Sequence, residues 1–376
     1  MRAARKIRVL LAGPYPAPGG MTGTYGRILE NFRTSPVFAG EIEFIPHRVT
    51  LPSDGNASKR WFIDLARAGA SLRRKPDILH ILMQKYRALY REFPFLETAG
   101  ALGVRTVVDV RAGTLQWMLS RTGARLQNAM MRRLLRRGDA VVLECPKDVA
   151  FVGETFGRRG LYLPNVALAR DYERLRPTPD LPGHGCALRL IHSGRYSKDK
   201  GTGILLESLR ILSSRGVRAE LHLTGEGREP EILEMIRRHV ESPPPGILVI
   251  DHGWDVPDLY ALLASAHVFV MPTTWRGEGH PNAVTEAMMA GLAMVLTDWI
   301  HREDIVPEEG ALRVLPGDPG AVADAVERYA TNPLLLDAAR KANRRRVEER
   351  FLDRVCYPQL LELYRSLGRA DGSGDR

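Results

Sequence analysis

Two glutamates eight positions apart, Glu278 and Glu286, stand on either side of a Gly-His-Pro-Asn turn in the stretch GEGHPNAVTEAMMAGLAMVLTD. The apolar run HVFVMP before it is typical of a buried strand. Pro281 suits the first turn of a helix, where no N–H is needed, and Gly291 suits the position just after a helix end. The pattern predicts that Glu278 lies in a loop beyond a strand and Glu286 one turn into the following helix.

Acids in these positions could bind hydroxyl groups. The free amides of residues 282–284 would face the loop that holds Glu278, and carboxylates there could accept hydrogen bonds from vicinal hydroxyls of a sugar or ribose. The alternative for Glu286 is simple stabilisation of the helix dipole. The alternative for Glu278 is a solvated loop acid.

Two other loops follow strand-like runs. In HSGRYSKDKGTG, Gly194 permits a turn, and Arg195 and Lys200 place two cations at the start of a helix, which suits a diphosphate. A solvated basic loop is the alternative. In LTGEGREPEIL, Gly225 allows close backbone approach and Glu226 could contact a base or ribose, although a Gly-x-Gly turn alone is weak evidence.

The elements that must position these loops alternate along the chain. Candidate strands are IRVLLAG, DILHIL, RTVVDV, AVVLE and GLYLP in the first half, and LRLIHSG, AELHLTG, GILVIDHG, HVFVMP and AMVLTD in the second. Amphipathic stretches lie between them, for example the one with Leu205, Leu209 and Leu212 at helical spacing. Such alternation predicts an α/β fold with parallel sheets, in which ligands bind beyond the carboxyl ends of the strands.

The chain has 376 residues, so two domains are expected. A segment rich in Pro and Gly separates the halves. We predict Rossmann-like domains over residues 1–180 and 187–354, joined by a linker at 173–186. Three scattered cysteines, Cys145, Cys186 and Cys356, predict neither a disulfide framework nor a metal site.

The N-terminus is basic and then apolar, but its apolar run IRVLLAG is short and followed by prolines. A first strand therefore fits better than a signal peptide. No apolar run reaches the roughly 18 residues of a membrane span. We expect a cytoplasmic protein.

Positive charge is concentrated in the first half. Residues 1–180 carry 30 Lys and Arg against 16 Asp and Glu, whereas residues 181–376 carry 24 against 28. Residues 121–137 hold six arginines and a helical stripe of Leu and Met. Such a helix could bind to the anionic inner face of the cell membrane. Alternatively, the stripe packs under the sheet and the arginines are solvated. The pI of 9.7 alone does not indicate a nucleic-acid partner, because no basic strand with interleaved aromatics and no recognition helix is found.

Taken together, these motifs resemble the retaining glycosyltransferases of family 4. RGEGHPNAVTEAMMAGLAMVLTD is similar to the E-x7-E signature of that family, HSGRYSKDKG to its diphosphate loop and LTGEG to its Gly-x-Gly turn. LLAGPYPAPGGMTGTYGRIL, with Gly19 and Gly20, is similar to the Gly-rich loop after its first strand. The resemblance implies the GT-B fold, two Rossmann-like domains facing across a cleft, with the C-terminal helix 355–368 packing back on the first domain.

The resemblance also implies roles for individual residues. Arg195 and Lys200 would hold the diphosphate of a nucleotide-sugar donor, Glu278 the donor sugar and Glu286 the ribose. The remaining implied donor contacts are Gly19, Gly20, Gly194, Gly225, Glu226, Gly279, His280, Pro281 and Asn282. The chain has no Asp-x-Asp pair, so we expect neither a metal nor another cofactor.

Two positions depart from the family. Arg111, in VVDVRAGTLQW, stands where many members carry a His, and Val166 replaces a usual Gly. His80 is another candidate near the acceptor, although a lone His at a strand end is more often structural.

The predicted function is transfer of a sugar to a lipid-linked or cell-surface glycan acceptor. A sugar-nucleotide epimerase of the same fold and a non-catalytic nucleotide-sugar-binding protein are the alternatives.

Overall fold

The computed structural model describes most of the chain, namely residues 5–13, 24–48, 66–83, 86–111, 113, 115–175 and 186–368. Gly19, Gly20 and most of the predicted linker therefore lie outside the described residues. The chain forms two compact units. The first comprises residues 1–168 and 353–376, and the second comprises residues 169–352.

The first unit contains, among the described residues, a six-stranded parallel sheet in the order β2-β1-β3-β4-β5-β6. Its strands are β1 (Ile7–Gly13), β2 (Ile42–Arg48), β3 (Ile78–Met83), β4 (Arg105–Val110), β5 (Ala140–Leu143) and β6 (Gly160–Tyr162). Its helices are α1 (Thr24–Thr34), α2 (66–72), α3 (Tyr86–Ala101), α4 (Leu115–Ser120), α5 (Arg125–Arg137) and α6 (Pro146–Phe156), followed at the end of the chain by α15 (Asp353–Gly368).

The second unit also has a six-stranded parallel sheet within the described residues, in the order β12-β11-β10-β7-β8-β9. Its strands are β7 (Leu188–Ser193), β8 (Ala219–Thr224), β9 (Ile247–Asp251), β10 (Val268–Met271), β11 (Ala293–Thr297) and β12 (Ala311–Val314). Its helices are α7 (Ala169–Arg174), α8 (Thr202–Ser214), α9 (Pro230–Glu241), α10 (Leu259–Ser265), α11 (Asn282–Met289), α12 (Arg302–Ile305), α13 (Pro319–Thr331) and α14 (Pro333–Arg350).

The two parallel sheets confirm the predicted α/β architecture. Leu205, Leu209 and Leu212 of α8 are fully buried against the second sheet, as their spacing predicts. The ten predicted strands are all present, but the sequence did not indicate β2 and β12, which are edge strands. Pro46 interrupts the β2 pattern and is tolerated because an edge strand needs only one set of ladder hydrogen bonds.

The boundary between the units falls at Leu168, whereas the sequence placed it near residue 180. The cause is α7, which is tied to α14 of the second unit. The Arg344 guanidinium lies 4.1 Å from the centre of the Tyr172 ring and donates to the carbonyl oxygens of Tyr172 and Leu175 at 3.1 and 3.3 Å.

Helix α15 belongs to the first unit. Tyr357, Leu360 and Tyr364 on one face of this helix are almost completely buried in a cluster with residues of β1 and β3. At the start of the helix, the Asp353 carboxylate accepts a hydrogen bond from the Ser35 hydroxyl at 2.6 Å. Helix α15 thus completes the hydrophobic core of the first unit.

Among the described helices, none combines the length and the apolar character that crossing a membrane requires.

The contact between α15 and β3 generates a stability prediction. The Tyr364 hydroxyl lies 2.5 Å from His80 Nδ1 in the interior, so Tyr364→Phe leaves a buried polar nitrogen without this partner. We expect a loss of about 1–3 kcal/mol in the free energy of unfolding, measured by urea denaturation. Tyr90→Phe, at an exposed tyrosine of the same unit, is the matched control and should change it by less than about 0.5 kcal/mol. Equal effects of the two substitutions would contradict the prediction.

Candidate functional site

The loops after β7 and β8 are joined through their backbones. The Gly194 N–H donates to the Thr224 carbonyl at 2.9 Å, and the Tyr196 N–H donates to the Glu226 carbonyl at 2.8 Å. A Cβ atom on Gly225 would lie 1.8 Å from the Gly194 carbonyl oxygen, so only glycine permits this approach. The two glycines therefore bring the ends of neighbouring strands together.

The loop after β7 is also joined to the loop after β10. The Asp199 carbonyl accepts hydrogen bonds from the Thr274 N–H at 2.8 Å and from the Thr273 hydroxyl at 2.9 Å. Gly201 has a left-handed φ of 75°, and a Cβ there would lie 2.0 Å from the Pro272 carbonyl oxygen. The loop that carries Lys200 is thus fixed against the loop that carries Glu278.

Lys200 and Glu278 meet at this junction. The Lys200 ammonium contacts Oε1 of Glu278, and the Thr273 hydroxyl lies 3.1 Å from the same oxygen. The Glu278 side chain is 7% exposed and that of Lys200 is 19% exposed. Because neither group is fully hydrated, each charge is offset by the opposite charge of its partner. The structure therefore brings together two of the residues that the sequence singled out.

The segment after Glu278 is held by its own side-chain contacts. His280 is buried, with Nε2 lying 2.6 Å from the Thr285 hydroxyl. The Gly279 carbonyl accepts a hydrogen bond from the Trp299 indole at 3.0 Å. These contacts fix the backbone that leads into α11.

Helix α11 begins at Asn282, directly after Pro281. Pro281 is the N-cap residue rather than the first helical residue, and its carbonyl accepts from the Val284 N–H at 3.1 Å. Asn282 is therefore the first helical residue, and Glu286, 9% exposed, lies one turn in. Gly291, with a φ of 71°, follows the helix end as expected.

Arg195 and Glu226 are exposed at the ends of β7 and β8. Within the described residues, no hydrogen bond or ion pair joins either side chain to Lys200 or Glu278. Their backbones are positioned beside the pair, but the structure does not bring their charged ends into contact with it.

His192 is a buried residue that sequence reasoning missed. It lies in β7, two residues before Gly194, and its Nδ1 donates to the Val270 carbonyl at 2.9 Å. Burial lowers the pKa of His192 to about 4, and the charge of Lys200 acts in the same direction. Nε2 is buried without a hydrogen-bond partner among the described residues. The only sequence signal was a histidine inside the apolar run LRLIHSG.

Arg111 lies inside the first unit. Its Nε and one terminal nitrogen donate to the two oxygens of Asp109 at 2.7 and 3.1 Å. The other terminal nitrogen donates to the Pro164 carbonyl and the Asn165 side chain, both at 3.1 Å. At 2% exposure, Arg111 is an internal cation that links β4 to the segment after β6.

His80 extends this interior chain of polar groups. Its Nε2 lies 3.1 Å from Asp109 Oδ2, and its Nδ1 contacts Tyr364. Burial alone would raise the pKa of Asp109, but the Arg111 charge and the His80 hydrogen bond outweigh it and hold that pKa below its ordinary value. His80, Asp109 and Arg111 therefore form one buried polar network.

Two buried acids hold the chain after Arg111. Glu144 accepts from the Gly113 N–H and Asp148 from the Leu115 N–H, both at 3.1 Å. Burial raises the pKa of Glu144 to about 8, although the Arg111 charge opposes the shift. Burial likewise raises the pKa of Asp148 to about 6.

Glu144 should make stability depend on pH. Between its ordinary pKa of 4.5 and about 8, the unfolded chain releases a proton that the folded chain retains, so the stability from Glu144 falls as pH rises. We expect a loss on the order of 2 kcal/mol between pH 6 and pH 8 in urea denaturation, and Glu144→Gln should remove it. Glu154→Gln, at an exposed acid of the same unit, should leave the slope unchanged. A Glu144→Gln variant with the wild-type slope would refute the assignment.

Comparison with known proteins places this geometry in context. Residues 187–332 match the family model described as glycosyl transferases group 1. The chain is 27% identical over 172 residues to the capsular polysaccharide biosynthesis glycosyltransferase CapM of Staphylococcus aureus, covering 46% of this chain and 44% of CapM. It is 25% identical over 186 residues to the amylovoran biosynthesis glycosyltransferase AmsK of Erwinia amylovora, covering 48% and 45%. The chain thus spans less than half the length of these curated relatives.

Solved structures resemble the chain over nearly its whole length. Sucrose-phosphate synthase of Thermosynechococcus elongatus aligns with a TM-score of 0.75 at 16% identity, covering 97% of this chain and all of that one. HepE of Anabaena, crystallised with UDP and glucose, aligns with a TM-score of 0.70 at 15% identity, covering 96% and 100%. At these identities the similarity shows the fold, and the chain has the two-domain α/β GT-B fold.

Proposed function

We propose that this protein is a retaining glycosyltransferase of family 4 that moves a sugar from a nucleotide-diphosphate sugar to an acceptor. The observation that carries the proposal is the pairing of Lys200 with Glu278 beyond the carboxyl ends of β7 and β10. Both residues lie within the segment that matches the group 1 glycosyl transferase model. The carboxyl edge of a parallel sheet is where ligands of such folds bind.

The pair offers two complementary functions at one place. The Lys200 ammonium can bind a diphosphate oxygen, and the Glu278 carboxylate can accept hydrogen bonds from sugar hydroxyls. Since the two groups contact each other, an arriving diphosphate would compete with Glu278 for Lys200. That exchange would leave Lys200 paired with the diphosphate and the Glu278 carboxylate hydrogen-bonded to the sugar hydroxyls.

The remaining donor contacts follow from the placement of the loops. Exposed Arg195 would provide a second cation for the diphosphate, Glu286 would bind the ribose, and Glu226 would lie near the nucleoside. Gly194, Gly225 and the backbone of residues 279–282 would bring main-chain groups close to the donor. In this proposal no metal or other cofactor is needed, because the two cations offset the charge of the leaving diphosphate.

The chemistry requires mainly electrostatic stabilisation. Cleavage of the sugar–diphosphate bond develops positive charge on the sugar and negative charge on the departing oxygen. Arg195 and Lys200 would stabilise that oxygen. The departing phosphate would then take the proton of the acceptor hydroxyl on the same face of the sugar, which retains the anomeric configuration without a protein nucleophile.

We further propose a lipid-linked or cell-surface glycan intermediate as acceptor, bound by the first unit. The names of CapM and AmsK, which refer to a capsular polysaccharide and to amylovoran, support this class. The buried positions of Arg111 and His80 favour a supporting role for both residues. In the same proposal, the protein works in the cytoplasm at the inner face of the cell membrane.

Contact with the anionic membrane through residues 121–137 would be electrostatic. Met131, Leu134 and Leu135 of α5 are buried in the core of the first unit, so the apolar stripe packs under the sheet. The arginines of the helix remain at the surface, and Leu126 is 60% exposed. Vesicle flotation that depends on neither anionic lipid nor salt would exclude this contact.

Donor binding tests the proposed function directly. A panel of UDP-, GDP-, ADP- and dTDP-sugars is added to the full chain in EDTA, and binding is followed by ligand-observed NMR. We expect selective binding of one nucleotide, weakened at least tenfold in Glu286→Gln because a ribose contact is lost. Glu207→Gln, at an exposed acid of α8, is the control and should bind like the wild type. Failure of every donor to bind would refute the proposal.

Arg195 provides a test of the mechanism. If its charge acts mainly on the departing phosphate, Arg195→Ala should lower turnover of the selected donor by about a hundredfold while the donor Kd changes less than fivefold. Arg210→Ala, at an exposed position of α8, should leave both quantities unchanged. Equal losses in turnover and donor affinity would count against this role of Arg195.

A further inference from the structure

His192 lies near the carboxyl ends of β7 and β10, where the pairing of these two strands stops. The last pair in their register is Ile191 with Phe269, and His192 and Val270 come next along the strands. Here a side chain continues the contact, because Nδ1 of His192 donates a hydrogen bond to the Val270 carbonyl at 2.9 Å. The imidazole ring is therefore fixed against the neighbouring strand.

The two strands lead into the loops that carry Lys200 and Glu278. The Asp199 carbonyl joins these loops, since it accepts hydrogen bonds from the Thr274 N–H at 2.8 Å and from the Thr273 hydroxyl at 2.9 Å. Both loops therefore start from the strand ends that the His192 side chain links. His192 lies at the base of the loops that hold the Lys200–Glu278 pair.

At neutral pH, His192 is an uncharged hydrogen-bond acceptor. The residue is 1% exposed, and burial lowers its pKa to about 4. A carbonyl oxygen can only accept a hydrogen bond, so the single proton of the neutral ring is on Nδ1, which faces the Val270 carbonyl. Nε2 therefore carries a lone pair and no proton.

Nε2 of His192 is buried and has no hydrogen-bond partner within the part of the chain that the structure describes. A buried acceptor without a donor is unfavourable. The positive charge of Lys200 acts on this ring and lowers its pKa further. The ammonium has three N–H groups, and its only acceptor among the described contacts is Oε1 of Glu278. Lys200 therefore has N–H groups to spare for the acceptor on which its charge acts.

His239 has the same hydrogen-bonding pattern at a different place. Its Nδ1 lies 2.8 Å from the Met235 carbonyl, and its Nε2 is likewise buried without a partner among the described residues. His239 is in the last turn of α9, which runs back along the sheet from β8 to β9, so it lies toward the amino ends of the strands. Lys200 and Glu278 lie beyond the carboxyl ends. What distinguishes His192 is therefore its position beneath Lys200.

We propose that His192 is a positioning residue for Lys200, with Nε2 accepting a hydrogen bond from the ammonium when a donor diphosphate draws that ammonium away from Glu278. The neutral ring would orient the ammonium without offsetting its charge, which stays available to the diphosphate. The Glu278 carboxylate cannot do this, because its own charge opposes that of Lys200. This role rests on the proposed function, which assigns the diphosphate to Lys200.

The first experiment observes the ring nitrogens by NMR. The full chain is labelled with ¹⁵N-histidine, and the His192 signals are those missing from His192→Asn. UDP, GDP, ADP and dTDP are added in turn at pH 7, and the one that binds most tightly is kept as the probe. We expect the Nε2 signal to move toward that of a hydrogen-bonded nitrogen at saturating probe, and not to move in Lys200→Met. An Nε2 signal that stays unchanged when the probe saturates the wild type overturns the proposal.

A double-mutant cycle separates positioning from packing. His192→Asn keeps an N–H donor for Val270 and removes the acceptor at Nε2. It should raise the probe Kd at least fivefold in the wild type but less than twofold in Lys200→Met, where the partner is already gone. His192→Gln offers an amide oxygen near the Nε2 position and should recover part of the affinity. His239→Asn is the matched control and should change the Kd less than twofold in both backgrounds. Equal losses from His192→Asn in the two backgrounds would mean a structural role alone and would overturn the proposal.

The outcome is separable from that of the proposed function. If Lys200→Met weakens the probe while the His192 signal and the His192→Asn affinity stay at their wild-type values, only the positioning role fails. If none of the four nucleoside diphosphates binds the wild type, the proposed donor site fails and the role of His192 fails with it.

Discussion

The contact between the Lys200 ammonium and the Glu278 carboxylate is the interaction on which the candidate site depends. A partly buried ion pair is stable only when both partners are held in place, because removal of either one leaves a poorly hydrated charge. The surrounding loops meet this requirement. A hydrogen bond between Asp199 and Thr273 joins the two loops beside the pair. The close approach at Gly201 leaves no room for a side chain.

The two units use buried charge in different ways. In the first, Asp109, Arg111 and His80 direct their described hydrogen bonds to one another and to neighbouring protein groups, and all three are almost completely buried. In the second, Lys200 keeps 19% of its side chain exposed and has a single carboxylate partner among the described contacts. The first arrangement stabilises a fold, whereas the second can exchange one partner for a ligand. This contrast favours Lys200 over Arg111 as the place of the proposed donor chemistry.

Much of the fold could be predicted because buried parallel strands are continuous apolar runs. The run HVFVMP became β10 and IRVLLAG became β1. The edge strands β2 and β12 were missed, since half-exposed edges lack that signal and Pro46 breaks the β2 pattern. The division of the units at Leu168 was not indicated by the sequence, because the contact of Tyr172 with Arg344 spans 172 residues and no local pattern encodes it.

The candidate site was predictable in position but not in detail. Strand ends and glycines located the loops of Lys200 and Glu278, but the direct contact between the two side chains depends on the packing of β7 against β10. The same limit applies to Arg111, whose buried partner Asp109 is two residues away on the same strand. Alternation along a strand puts both residues on one face, yet only the contacts of β3 and α15 show that this face is interior.

The central claim is that Lys200 binds the diphosphate and Glu278 the sugar of one donor. The most direct measurement is the affinity of the selected nucleotide sugar and of its bare nucleoside diphosphate for wild type, Lys200→Met, Glu278→Gln and the double variant. The account predicts that Lys200→Met weakens both ligands, whereas Glu278→Gln weakens the nucleotide sugar at least tenfold and does not weaken the nucleoside diphosphate, because it removes the competitor for Lys200. Equal weakening of both ligands by Glu278→Gln would contradict the assignment of this carboxylate to the sugar.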